Sequence, residues 1–369
     1  MRIITCITKK FNLLILFLIG QLFAQSVHAA FWETNSPMLV ARTGHTATLL
    51  QNGKVLVVGG ANATPPYNSL SSTELFDPAT RTWTLAKPLN IARGMHTATL
   101  LPDGKVLVVG GVNNNGYPTN TEIYDPISGN WTINGSLAIG RIDHTATLLS
   151  NGKVLITGGY ADYDIPSADL YNPNTGTSTN IGMMQVGRRW HTATLLPNGN
   201  VLVVGCSSAD LYFPTTATWT NAGALYGRMC HTATLLPNGK VLIAGGIGGG
   251  GGGYPAITEL YDPNTRIWTT NCDLNIARCW HTATLLPSGK VLIVGGWTSG
   301  GPANVAEIYD PIDKKWTETN PMNSGRLHHT AILFKNGKLL LAGGNAGQSP
   351  YIDLNPPTSG TEFYDSLKK

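Results

Sequence analysis

Histidine recurs at positions 45, 96, 144, 191, 231, 281 and 329, each three residues after an arginine: Arg42, Arg93, Arg141, Arg188, Arg228, Arg278 and Arg326. Imidazoles and guanidiniums repeated in this way could form a cationic ring suited to an anion or an acidic sugar. The same units, however, carry seven acids: Glu74, Glu122, Asp169, Asp210, Glu259, Glu307 and Glu362. An unpaired buried charge costs far more than a paired one, so one acid per arginine points to a repeated structural ion pair. The histidines are expected to bond neighbouring backbone where a strand begins.

Symmetry fails one residue earlier. The position before each repeat histidine reads Gly44, Met95, Asp143, Trp190, Cys230, Trp280 and His328. Asp143, Trp190, Trp280 and His328 are the candidate ligand-binding residues, because indoles stack on a sugar ring while carboxylate and imidazole bond its hydroxyls. No residue stands out as a catalytic group. Asp162 and Asp164 lack the glycine and distal glutamate of a calcium loop, so no metal is expected. No nucleophile elbow, phosphate loop or zinc-type spacing occurs in the chain.

Repeated strands must position these residues. HTATLL occurs six times and HTAILF once, at spacings of 51, 48, 47, 40, 50 and 48 residues. A turn such as LPNGK follows, then an apolar run ending in two glycines, a loop of variable length, a second short run such as TELFDP, and a Trp-Thr pair. Asn-Gly, Asp-Gly and Asp-Pro signals bound four short strands per unit, which is one propeller blade. Trp32, Arg42 and His45 keep the spacing of the later units, whereas the last unit stops at Thr361–Asp365 without its tryptophan. The expected fold is therefore an all-β, seven-bladed ring in which the N-terminal strand completes the C-terminal blade and removes free sheet edges. Trp83, Trp131, Trp219, Trp268 and Trp316, with Tyr124, Tyr171, Tyr212, Tyr261 and Tyr309, read as interblade packing, and blade 3 has Ser178 in place of tryptophan.

The diglycine after an apolar strand, the following aromatic and the tryptophan beyond Asp-Pro resemble the kelch motif from about Phe31 to the C-terminus. Units such as HTATLLPDGKVLVVGG (His96–Gly111) are also similar to those of galactose oxidase. That resemblance implies a Tyr-His pair at the strand opening as a copper site, but no tyrosine precedes a repeat histidine here and no Tyr-Cys partner is apparent. No cofactor is expected. Periplasmic sialate mutarotase is likewise a kelch protein, of six blades, needing little more than placed arginine, histidine and acid groups, and it keeps a small carbohydrate-active enzyme open as an alternative.

The 43 glycines and 12 % charged residues suit a turn-dense β fold. Residues 1–29 read as a signal peptide: Lys9-Lys10, the apolar stretch 11–20, and a small-x-small site at Val27-His28-Ala29. The apolar run is too short to span a bilayer comfortably. Residues 30–369 then form a single propeller domain, exported to the periplasm or secreted. The formal charge of +4 falls to about +1 without Arg2, Lys9 and Lys10, which argues against nucleic-acid or membrane binding. Cys206, Cys230, Cys272 and Cys279 remain after the leader, an even number in an oxidising compartment. The pairing 206–230 and 272–279 is one arrangement; other pairings and free thiols are the alternatives.

The loops break symmetry too. Blade 4 has only Ser207-Ser208-Ala209 between Cys206 and Asp210, while blades 1 and 7 carry Ala61–Thr73 and Asn345–Thr361. One face should have a high wall at the 7/1 junction and a gap at blade 4, with the Gly248–Gly253 run as a mobile flap beside it. The expected function is a monomeric, non-enzymatic binding module for an extracellular glycan or protein, acting through the loop-bearing face and channel mouth.

Overall fold

The computed structural model describes residues 32–62, 68–248, 253–347 and 356–366. The expected leader, the centre of the glycine run (249–252) and parts of the blade 1 and blade 7 loops (63–67 and 348–355) lie outside the described residues. All regular structure within the described residues is strand, arranged as seven four-stranded antiparallel sheets and one two-stranded hairpin, Trp297–Thr298 with Gly301–Pro302. Blade 1 runs Thr46–Leu49, Val55–Val58, Thr73–Asp77 and Thr82–Ala86 from the axis outward. Blades 2, 3, 4, 5, 6 and 7 open with Thr97–Leu100, Thr145–Leu148, Thr192–Leu195, Thr232–Leu235, Thr282–Leu285 and Thr330–Leu333. These innermost strands touch their neighbours in sequence, and the seventh returns to the first. Trp32–Asn35 pairs with Thr361–Asp365, Trp32 opposite Tyr364, and closes the ring as the fourth strand of blade 7.

The second strand of each blade is apolar without alternation because sheets cover both of its faces. Val55, Leu56, Val57 and Val58 are fully buried, and the equivalent strands behave alike. There is no single central core. Seven apolar slabs, each shared by two adjacent blades, hold the ring together.

The diglycines turn the chain away from the axis at the end of that strand. Gly59 and Gly60 have φ of 56° and 94°, and a Cβ on Gly59 would lie 2.4 Å from the Arg93 carbonyl oxygen. Only glycine satisfies both demands. Blade 4 departs from the pattern. Its second and third strands form one unbroken run, Val201–Phe213, with a tight turn at Cys206 (φ 56°) in place of a loop, and the run pairs with the long strand Thr218–Met229. Ile247–Gly248 then adds to the edge of that sheet at Arg228 and Met229.

The structure corrects the cysteine pairing, since all four thiols are free. Cys206 pairs in register with Arg228, while Cys230 is buried, its amide donating to the Trp190 carbonyl. The Cys279 thiol faces the Trp297 carbonyl at 3.8 Å, whereas Cys272 packs against the slab between blades 5 and 6. Proximity in sequence does not bring either pair of side chains together.

Candidate functional site

The repeated charges are spent on architecture. Arg42–Glu74, Arg93–Glu122, Arg141–Asp169, Arg188–Asp210, Arg228–Glu259, Arg278–Glu307 and Arg326–Glu362 all form ion pairs. Every one of these guanidiniums also donates to the carbonyl 17 residues on, at the first diglycine position, as Arg42 does to Gly59 at 2.7 Å. Six of the acids, all but Asp169, accept backbone N–H groups of the connection leading into their blade; Glu74 takes those of Leu39 and Val40 at 2.7 and 3.0 Å. Each pair therefore pins a connection to a blade.

The histidines also differ from the cationic ring that spacing alone allows. Each Nε2 meets the hydroxyl of the threonine that opens the preceding blade's innermost strand, at 2.9–3.1 Å: His96 with Thr46, and so around to His45 with Thr330. This hydroxyl of the neighbouring blade is a partner beyond the expected backbone, which also acts on the imidazole, as the Arg42 and Ala342 main chain does on His45. Burial, aided by the nearby arginine charge, pushes His45 and His144 down to about 3, so the ring is neutral at physiological pH.

Directly above lies the asymmetric layer. Its seven residues share one backbone conformation, with φ between 51° and 61°. That left-handed turn aims backbone groups around the ring: Met95 N–H donates to Gly44, Trp190 to Asp143, Cys230 to Trp190, Trp280 to Cys230 and His328 to Trp280, at 2.8–3.4 Å. Six side chains other than glycine accept a conformation costing roughly 1–2 kcal/mol each. The side chains stand clear of this backbone ring.

Asp143, Trp190, Trp280 and His328 line a single cavity of about 570 Å³ at the channel mouth. The Trp280 and His328 rings are 5.1 Å apart and tilted. Burial raises Asp143 to about 6, with the Trp190 indole and the Arg189 charge pulling the other way. Sequence reasoning passed over four contributors: Met95, Tyr117, Tyr160 and Arg189. Tyr117 and Tyr160 lie in the loops after the diglycines of blades 2 and 3 and meet edge to face at 6.5 Å. The Arg189 guanidinium lies 4.5 Å over the Tyr160 ring and 4.6 Å over that of Trp190, with Nε 3.4 Å from Asp164. In the other six blades the equivalent residue is paired to the loop after the diglycine, as Thr43 is to Ala61. Blade 4 has a tight turn in place of that loop, and Arg189 instead reaches toward Tyr160 and Asp164 of blade 3. The doubled arginine before Trp190 was the available signal, one arginine more than the repeat needs.

The aromatic walls, one carboxylate and one guanidinium suit a small polar ring with hydroxyls. They do not suit a copper ion. The mouth position holds no tyrosine, the seven repeat Nε2 atoms engage threonine hydroxyls, and among the described residues no three His, Cys, Asp or Glu side chains converge.

Comparison with known proteins agrees with this architecture. The family description "KLHDC2/KLHL20/DRC7 Kelch-repeats domain" matches residues 14–206, and "Kelch motif" matches residues 282–323. The chain is 42 % identical over 80 residues to tRNA wybutosine-synthesizing protein 4 of Saccharomyces cerevisiae, a stretch covering 21 % of this chain and 11 % of that one. It is 36 % identical over 90 residues to human Kelch-like protein 15, 23 % of this chain and 15 % of that one. The match thus spans a small part of either relative's length. A fungal alcohol oxidase of the AA5 family, solved in complex with copper, superposes with a TM-score of 0.76 at 19 % identity, covering 91 % of this chain and 76 % of its own. That likeness is one of fold. With more than half its length matched by one kelch-repeat description and a further motif matched beyond it, the chain belongs to the kelch-repeat family.

Proposed function

We propose that this propeller is an exported binding module that takes a carbohydrate ring in its channel mouth without turning it over. The observation that carries the reading is the convergence of Asp143, Trp190, Trp280 and His328 in one cavity, joined by Tyr117, Tyr160 and Arg189. Trp190 and Trp280 supply stacking faces, and Asp143 accepts hydrogen bonds from sugar hydroxyls when ionised. Export rests on the N-terminal sequence, and an extracellular or periplasmic glycan is the matching partner.

A glycan array probed with residues 30–369 tests this beside a Trp190→Ala/Trp280→Ala double variant. Selective binding lost in the variant supports the reading; an array on which the two proteins behave alike overturns it. One observation favours a second reading, a small carbohydrate-active enzyme. Asp143, at about 6, can exchange a proton near neutral pH. Turnover of a bound sugar abolished by Asp143→Asn would establish that alternative, whereas a binder keeps most of its affinity in the same variant.

A further inference from the structure

Every carboxylate of the repeat has an arginine of its own, as Glu122 has Arg93 and Glu307 has Arg278. Asp143 does not. It is only partly exposed, lines the channel mouth and, among the described residues, has no lysine or arginine nitrogen within 4 Å of its oxygens. The guanidinium of that cavity, Arg189, is engaged elsewhere: its Nε faces Asp164 at 3.4 Å, and it lies over Tyr160 and Trp190. A carboxylate withdrawn from water without a counter-charge is costly, and a bound cation relieves that cost.

The surroundings favour the same charge. Trp190 stands next to Asp143 around the rim, its amide donating to the Asp143 carbonyl at 3.1 Å. Tyr117 approaches from blade 2, packed so closely on Gly140 that a Cβ there would overlap the Tyr117 carbonyl. Burial raises the Tyr117 hydroxyl, and the charges of Asp162 and Asp143 add to the effect. Asp162 and Asp164 are exposed on the blade 3 loop. Apart from the repeat ion pairs, three carboxylates therefore stand against one guanidinium on this side of the mouth. That field repels an anion and draws in a cation. Aromatic faces also hold a cation well, as Tyr160 and Trp190 already do for Arg189.

On the carbohydrate reading of this cavity, we propose that the preferred ring is an amino sugar, whose free ammonium pairs with Asp143 beside Tyr117 and Trp190. The ammonium donates to the carboxylate, a charge-assisted bond that a sugar hydroxyl at the same place cannot match. A uronate carries the opposite charge and is repelled by the same three acids.

Isothermal titration of the protein with glucosamine, glucose and glucuronate at about pH 7 tests the assignment, since an amine resembling an α-amino group is mostly protonated there. The expected order is glucosamine tightest, by at least about tenfold over glucose, and glucuronate weakest. In Asp143→Asn the affinity for glucose stays while that for glucosamine falls to the same level; the wild-type order decides alone if this variant does not fold. Glucose or glucuronate binding as tightly as glucosamine overturns the amino-sugar assignment and leaves the carbohydrate reading standing. Equal losses for glucosamine and glucose in Asp143→Asn overturn it as well. If none of the three binds, the assignment fails, and the glycan array decides the broader reading on its own.

Discussion

His96 and Met95 are neighbours in sequence, yet their layers of the channel have opposite characters. The histidine layer is uniform: seven neutral imidazoles, each tied to a threonine of the preceding blade, form a ring beneath the mouth. The layer above it is varied in side chain and uniform in backbone, with the same left-handed φ at all seven positions. In the lower layer the side chain makes the blade-to-blade bond, so its chemistry cannot change. In the upper layer the main chain makes it, from Met95 to Gly44 and from Trp190 to Asp143. Side chains released from structural duty can be spent on a ligand.

The comparison can be broken most severely with acid. Unfolded histidine titrates near 6.5, whereas burial holds His45, His144, His231 and His281 near 3 in the fold. Between those values the unfolded chain binds the extra protons, so stability is fully present above about pH 6.5 and is lost as pH falls toward 3. Each histidine contributes a slope of roughly 1.4 kcal/mol per pH unit within that window. Asp143, raised to about 6, and Asp210, also raised by burial, work in the opposite sense but are two groups against seven. Urea midpoints measured from pH 7.5 to 4 should therefore fall steeply; a flat profile would contradict a neutral, buried ring.

Removing a repeat charge comes next. Arg278→Met leaves Glu307 buried without its partner and is expected to lose about 3–5 kcal/mol in denaturant unfolding. At the mouth, Trp190→Ala should reduce glycan affinity at least about tenfold, equivalent to roughly 1.4 kcal/mol, while shifting the unfolding midpoint far less than Arg278→Met. A matching loss of stability would return Trp190 to the structural layer. The smallest effect sharpens the backbone argument. Met95→Gly should stabilise by about 1 kcal/mol, since glycine adopts φ of 54° without a Cβ clash. Unchanged or reduced stability would count against strain at the rim.

What sequence revealed follows from symmetry. Residues in register with the repeat, such as Arg278 and Glu307 or Trp32 and Tyr364, inherit their partners from the geometry of the unit, and seven copies make that geometry legible. The rim position was visible as a column of unlike residues, although its shared left-handed backbone was not, because four of its seven members (Met95, Trp190, Cys230 and Trp280) belong to residue types that rarely adopt it. Tyr117, Tyr160 and Arg189 lie outside the register, in or beside loops whose course depends on local packing, and no repeat predicts where such side chains point. The cysteines fail for the same reason: Cys206 stands at a diglycine position, but in blade 4 a tight turn at Cys206, with φ of 56°, leads directly into the next strand.

The strand Trp32–Asn35 has a consequence for how the molecule is made. Its partner, Thr361–Asp365, lies 326 residues further along the chain, so Trp32–Asn35 remains unpaired until all seven blades have been synthesised. Contacts across so long a stretch of chain are intrinsically slow to close. A change beside Trp32 is felt in blade 7, at the far end of the propeller sequence. The two ends act as one joint, and whatever loosens that joint opens the entire circle.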